Sequence, residues 1–409
     1  MALQLLIFIT LARYLGTEQF GLLSYCFAIN SIFIFFNTFG LESILVKRIH
    51  DHKHLAEVYL ADVLLIRVFT SLVSVFTINL VGLLLLAPNE HFFLFILSLY
   101  HLFLPIKAVE NYLQAQQRSY IYSKVAISAI LLGTVFRALG LYYQADALWF
   151  YIAYLVDAFA LFILVLCLLY RERIELKFSL DYQRIKLFLR EGYPLMLAGG
   201  IAFLYMKVDQ IMLGKILGND AVAIYVSATK LSEAWFFIGF SLIAVYFPVF
   251  LDHKKKSRKH YRIALVNFGS KLIWLSILLA LLVSIFSDFI ITLLLGEVYL
   301  ASADVLAITI WCVPLTYIGA ITAKMFVADN QNTQVFHRNL IGLMVNIGLN
   351  LWLIPAYGAI GAALASLIAQ FFAYYLLNYM RAKSIGKIIN MMLTHPPFSP
   401  YNKKAERQV

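Results

Sequence analysis

VYLADVLLIRVFTSLVSVFTINLVGLLLL (58–86) carries only two charged residues, Asp62 and Arg67, and is long enough to cross a bilayer. A spanning helix needs about 20 mostly apolar residues. The stretch does not alternate polar and apolar positions, as a membrane-barrel strand of about ten residues would. It therefore reads as a transmembrane helix, and comparable runs recur from one end of the chain to the other. The twelve expected spans are 1–13, 22–46, 58–86, 92–112, 121–141, 147–170, 192–214, 221–250, 265–295, 303–326, 335–354 and 358–381. The first is shorter than a span requires, and the expectation is a truncated first helix. It has neither the basic start nor the small-residue cleavage site of a signal peptide.

Composition agrees. The 409 residues are 62% hydrophobic and 13% charged, against about 25% charged in soluble domains, and mean hydropathy is +0.82. The formal net charge of +11 comes from short basic clusters between apolar runs, which is how membrane orientation is encoded, so nucleic acid is not an expected partner. Lys and Arg collect near 47–57, 113–124, 171–190, 252–264 and 327–338 and after 381, with KKKSRKHYR (254–262) the densest cluster. The alternate connections hold one basic residue at most. Both termini are accordingly expected in the cytoplasm. No connection exceeds about 20 residues, which leaves no room for a soluble catalytic domain. Cys26, Cys167 and Cys312 lie in apolar segments without metal-ligand spacing and read as small hydrophobes. HDHKH (50–54) sits in a basic connection and reads as solvated surface; no metal site, nucleophile–His–acid set or phosphate loop is recognisable.

An internal repeat divides the chain. LARYLGTEQFG (11–21) and LGKILGNDAVA (213–223) align Leu11 with Leu213, Arg13 with Lys215, Leu15 and Gly16 with Leu217 and Gly218, and Glu18 with Asp220. Each copy ends a span, turns at glycine and enters the next span through an acidic residue. The expected organisation is a six-helix lobe over 1–170, a basic linker over 171–191, a second six-helix lobe over 192–382 and a basic tail over 383–409. Repeats of this kind are frequent in transporters.

Charges inside the spans point the same way, since each costs about 2.5–3.5 kcal/mol at a helix centre. The cations are Arg67, Lys107, Arg137, Lys207, Lys230 and Lys271; the anions are Asp62, Glu110, Asp157, Asp209 and Glu233. Lys107/Glu110 and Lys230/Glu233 are spaced i, i+3 and could neutralise themselves, while Lys271 is placed to snorkel. Arg67 and Arg137 have no opposite charge one turn away, and Arg67 shares a face with Ser71 and Ser74. Lys207 and Asp209 point to opposite sides of their helix. The excess of deep cations suits an anionic cargo such as a phosphate. Asn339, Asn346 and Asn350 form a polar face that reads as interhelical glue or a sugar contact. Gly358, Gly361, Ala362, Ala365 and Ala369 form a small face for packing. Pro194 with Gly199 and Gly200 weakens the seventh span.

ARYLGTEQFGLLSY (12–25), NYLQAQQRSYIYSKV (111–125), GYPLMLAGGIAFLYMKVDQIMLGKILG (192–218) and NLWLIPAYGAIGAALASLIAQ (350–370) resemble, in order, blocks of the Wzx-type polysaccharide flippases. That family belongs to the multidrug/oligosaccharidyl-lipid/polysaccharide (MOP, MATE-like) exporter superfamily. The resemblance implies an all-α polytopic membrane protein of about 12 helices in two six-helix lobes around a central cavity. It implies residence in the bacterial inner membrane and flipping of an undecaprenyl-diphosphate-linked oligosaccharide (O-antigen or other lipopolysaccharide or surface-polysaccharide repeat unit) to the periplasmic leaflet. A glycan polymerase and a chain-length regulator are the partners it suggests, with membrane lipids around the chain. Arg67, Arg137, Lys207, Lys107 and Lys230 are the expected cavity cations. No cofactor or catalytic residue is expected. Coupling to a proton or sodium gradient stays open through Asp62, Asp157, Asp209, Glu110 or Glu233. The alternatives are a cation-coupled multidrug exporter of the same fold, a membrane-embedded glycan polymerase or ligase, and a peptidoglycan-precursor flippase, which would carry extra helices.

Overall fold

A helix destined for lipid inverts the usual arrangement, with its polar side turned inward and its apolar side exposed. The third span shows this plainly. Arg67 is 2% exposed and Ser74 0%, whereas Phe69 and Phe76 on the opposite face are 67% and 70% exposed. The computed structural model describes residues 2–179, 181–329, 331–381 and 383–394, and among them every regular element is helical. The part of the expected basic tail beyond 394 lies outside the described residues.

Ten helical stretches are long and apolar enough to cross a membrane. Two of them, Leu3–Asp51 with 49 residues and Thr333–Met380 with 48, are far longer than one crossing needs. At about 1.5 Å per residue each is more than twice the roughly 30 Å of hydrocarbon. Each is interrupted by a glycine with positive φ, Gly16 and Gly358 respectively, which divides it into two helices. Counted in this way the described residues give twelve membrane helices, the number expected from the sequence.

Differences from the sequence reading concern boundaries. The cluster at 254–262 is not a loop: helix Asn219–Lys256 stops at Ser257, whose hydroxyl accepts from His260 N at 3.2 Å to begin Arg258–Ile285. The ninth span ends at Ile285, and Ser287–Leu295 is a separate short helix. The seventh span runs unbroken from Tyr182 to Leu217 through Pro194 and Gly199–Gly200, so half of the expected linker is helix. That linker is also pinned. Arg118 pairs with Glu172, Lys177 with Glu57 at 2.6 Å, Arg184 with Asp62 at 2.6 Å and Arg48 with Glu191 at 2.5 Å. Glu172 beside Arg118 and Glu57 beside Lys177 hold both bases above their ordinary range.

Packing divides the chain into two compact units. One is Leu22–Lys207; the other gathers the first 21 residues together with those from Val208 onward. The expected boundaries, at 170 and 192, differ from this in two places. The linker and the start of the seventh span pack with the first unit, and the first helix joins the second. Tyr299 Oη donates to the Ala12 carbonyl at 2.9 Å, and Arg13 Nη2 donates to the Leu293 carbonyl at 2.5 Å. The core of the first unit centres on Leu41, Leu45, Leu60, Val63, Val109 and Leu113; that of the second on Leu265, Ile273, Ile310, Val313 and Ile321.

The internal repeat recurs in the backbone. Gly16 has φ 69° and ψ 178°, and Gly218 has φ 86° and ψ −173°. Only glycine adopts this region without strain of about 1–3 kcal/mol. A Cβ at either position would meet nothing within 4 Å, so the requirement is purely conformational. Gly16→Ala and Gly218→Ala should therefore each lower thermal stability in detergent by about 1–3 kcal/mol. Gly348→Ala, in open space within a helix, should be neutral or stabilising in the same scan.

Candidate functional site

The third span places Asp62, Arg67, Thr70, Ser71 and Ser74 in the interior of the first unit. The hydroxyls turn back on their own helix: Ser71 Oγ donates to the Arg67 carbonyl at 2.7 Å and Ser74 Oγ to that of Thr70 at 2.8 Å. Arg67 is left with one long contact, Nη2 to Asn111 Oδ1 at 3.4 Å, and its Nε has no hydrogen-bond partner. No described carboxylate forms an ion pair with it. Glu42, Tyr122 and Glu110 act on its charge, the two glutamates from exposed positions. A buried ion without a matched partner costs several kcal/mol.

Arg137 behaves otherwise. Its Nη1 donates to Asp157 Oδ1 at 3.2 Å and its Nη2 to Oδ2, a forked pair across two helices. Its guanidinium also lies 4.8 Å from the centre of the Tyr154 ring. Gly133 makes this possible, because a Cβ there would sit 1.4 Å from Asp157 Oδ1. Arg137 is thus not an unmatched cation, although no opposite charge lies within a turn of it in sequence. Asp62, fully buried, is likewise held by Arg184 through Nε at 2.6 Å and Nη2 at 3.4 Å.

The two self-neutralising pairs divide. Lys230 bonds Glu233 at 3.2 Å on a half-exposed surface, while Lys107 and Glu110 do not close to ion-pair distance. Lys207, the last residue of the first unit, is buried, and Lys271 is exposed as a snorkelling residue would be.

Asp209 lies in the second unit and is buried. Its carboxylate accepts from Tyr225 Oη at 2.7 Å, Asn350 Nδ2 at 2.6 Å and Ser366 Oγ. Asn350 also donates to Asn346 Oδ1 at 3.1 Å, and Asn346 Nδ2 donates to Ser366 Oγ at 3.3 Å. Every one of these partners is neutral, and Asn350 Oδ1 is buried without a donor. The asparagine face read as glue is therefore also the lining of a carboxylate site.

Several members of these sites escaped the sequence reading. Ser366 follows Ala365 of the small face in sequence and is not itself one of that face's residues. Tyr225 was hidden among aromatics, and Arg184 was counted with the linker. Arg338, counted with a basic connection, is buried: Nη1 donates to Thr322 Oγ1 at 2.8 Å and the guanidinium lies 4.9 Å from the Tyr374 ring centre. Tyr374 belongs to a one-turn π-helix, Phe371–Leu376, a feature frequent at functional positions. Arg338 lies within the helix Asn332–Gln370, not in a connection.

Against known proteins, the family described as "Polysaccharide biosynthesis protein" matches residues 1–254. The chain belongs to that family. No curated protein matches the sequence. Among solved structures, "Lipid II flippase MurJ, inward closed conformation" is similar with a TM-score of 0.77 and 19% identity, covering 96% of this chain and 88% of that one. An "inward-facing conformation of a multidrug resistance MATE family transporter of the MOP superfamily" gives 0.71 at 14% identity, over 94% and 95%. A MOP superfamily transporter from Pyrococcus furiosus Vc1 (DSM3638) gives 0.62 at 13%, over 94% and 93%. At these identities the likeness establishes the fold alone, which this chain shares with that flippase and those transporters, as expected from the sequence blocks.

The pairing of Arg137 with Asp157 has a direct consequence. Removing one partner strands the other in the bundle, at about 3–5 kcal/mol, while replacing both by apolar residues is close to neutral. Arg137→Ala should lower the amount of folded protein in membranes, and Arg137→Met combined with Asp157→Leu should restore it. Quantitative immunoblotting with fluorescence-detected gel filtration reads both.

Proposed function

We propose that this family member is a flippase for an undecaprenyl-diphosphate-linked oligosaccharide, an O-antigen or other surface-polysaccharide repeat unit. It would move this lipid from the cytoplasmic to the periplasmic leaflet of a bacterial inner membrane by alternating access. The observation that carries the reading is Arg67, a buried guanidinium with no ion-pair partner in a membrane bundle. A diphosphate supplies the missing charge, and guanidinium binds phosphate oxygens in forked fashion. Ser71, Ser74 and Asn111 around it are neutral and do not compete for that anion. The family match and the flippase fold support the same cargo class. A glycan polymerase and a chain-length regulator are the partners this cargo calls for.

Ion coupling, where present, falls on Asp209. Asp62 and Asp157 are each neutralised by an arginine, whereas Asp209 is surrounded by neutral oxygen- and nitrogen-bearing groups. A buried carboxylate in such a setting takes up a proton or a small cation such as sodium. The same feature suits a cation-coupled drug exporter, which a drug-susceptibility panel on a deletion strain distinguishes.

The test uses proteoliposomes loaded with undecaprenyl-diphosphate-linked oligosaccharide, flipping being read as glycan reaching an external lectin. Arg67→Gln should slow flipping by about tenfold or more, the loss of a charge-assisted pair worth about 1.5–3 kcal/mol. Arg67→Lys should retain part of it. Asp209→Asn should remove the dependence of the rate on an imposed gradient. Wild-type flipping by Arg67→Gln at equal protein content would refute the proposal.

A further inference from the structure

The second span is broken twice. The helix that reaches Ile32 turns at Phe33, resumes as Ile34–Thr38 and stops where Phe39 and Gly40 take φ of 46° and 65°. Backbone groups freed by such breaks must be satisfied within the protein. At the first break the Asn30 carbonyl accepts from Phe33 N at 3.2 Å and from His101 Nε2, also at 3.2 Å. The same imidazole accepts, at Nδ1, from the side-chain amide of Asn37, just before the second break. The Ser71 hydroxyl of the third span has one hydrogen, which Asn37 Oδ1 shares with the Arg67 carbonyl. His101 is fully buried. One ring thus holds both ends of segment 31–38 with one donor and one acceptor, an arrangement open only to neutral imidazole.

The segment is packed against the seventh span. A Cβ on Gly192 would lie 2.5 Å from the Phe39 carbonyl oxygen, and one on Gly200 would lie 3.0 Å from the Phe35 ring. Any change in the segment is therefore felt at the glycines of that helix. The charged and titratable groups on the elements packed around the ring are Glu57, Asp62 and Arg67 of the third span, Glu90, His91, Lys107 and Glu110 of the fourth and Asp157 and Arg171 of the sixth. None of them forms a described ion pair with the ring, which is set by burial and the Asn30 carbonyl.

We propose that His101 is a proton-operated catch: neutral, it fastens segment 31–38 in its broken form, and protonated, it releases it. A proton on Nδ1 turns the ring into a donor at both nitrogens. The Asn37 amide then meets a second donor and withdraws, and the bond at Nδ1 is lost. Withdrawal takes Asn37 Oδ1 from Ser71, whose one hydrogen then goes wholly to the Arg67 carbonyl. Release at the second span is thereby transmitted to the backbone that carries Arg67. The proton comes from water reaching the opened segment and returns to it on closure, so no other reactant is needed. The fastened form needs the ring neutral, so it is fully favoured above the imidazole range. Below that range it weakens by up to tenfold per pH unit.

The proposal goes beyond the phosphate reading and is tested without cargo. Spin labels at Ile34 and Leu195, in full-length protein with Cys26, Cys167 and Cys312 changed to serine, report the distance from the segment to the seventh span. In the wild-type background the distance distribution should shift between about pH 8 and about pH 5, a window spanning the imidazole range. His101→Gln keeps a donor and an acceptor but cannot be protonated, and should hold the high-pH distribution at both values. A pH-independent distribution in the wild-type background, or a His101→Gln protein that shifts as the wild type does, overturns the catch. The wild-type titration alone suffices to decide if His101→Gln does not fold.

Discussion

An ionised side chain in hydrocarbon has no water to answer it, so every charge buried among these helices has to be met by another group or by a cargo. The bundle meets most of its charges internally. Asp157 takes the fork of Arg137, and Arg184 reaches into the third span to cover Asp62. Arg338 is met by the Thr322 hydroxyl and the Tyr374 ring. Arg67 and Asp209, one in each unit, are buried charges that the described residues meet with neutral hydrogen-bonding groups. Arg67 has a single long hydrogen bond to a neutral amide, and Asp209 has only neutral donors. Carrying an unmatched ion costs several kcal/mol. Such a cost is sustained where the ion is matched at another stage of a working cycle. The transport reading rests on the settings of Arg67 and Asp209 rather than on the number of charges.

The same solvent dictates the architecture. Helices with serine and arginine inward and phenylalanine outward cannot pack in water, but they bury their polar stripe in a bundle and leave their apolar face to lipid. Backbone irregularity is confined to places where something else satisfies it. Gly16 and Gly218 turn the chain at equivalent points of the two repeats, and the breaks at Phe33 and Phe39–Gly40 are bridged by His101 and Asn37.

Much of this was legible in the residues. Hydropathy gave the twelve spans, because a helix surrounded by lipid announces itself by composition within one window. The glycine turns of the repeat were legible because only glycine holds that backbone. The polar stripe of the third span followed from its spacing of four and three. Pairings were not legible. Arg137 lacks an acid within a turn of its own helix, and its partner arrives from the next helix, twenty positions on. Asp62 finds its arginine in a segment that reads as linker. Conversely, Lys107 and Glu110 have the right spacing and stay apart. Contact between helices depends on rotation and depth, which one-dimensional spacing does not encode. The division into units was displaced for a similar reason: the first helix packs with elements nearly three hundred residues away.

The central claim is that Arg67 is held unpaired for a diphosphate. It is tested most directly by the relative affinity of the purified protein for undecaprenyl diphosphate and undecaprenol, measured by native mass spectrometry. The wild-type protein should prefer the diphosphate by about tenfold or more, in keeping with one charge-assisted contact. Arg67→Gln should bind both lipids alike. A preference for the diphosphate that survives Arg67→Gln unchanged would contradict the claim.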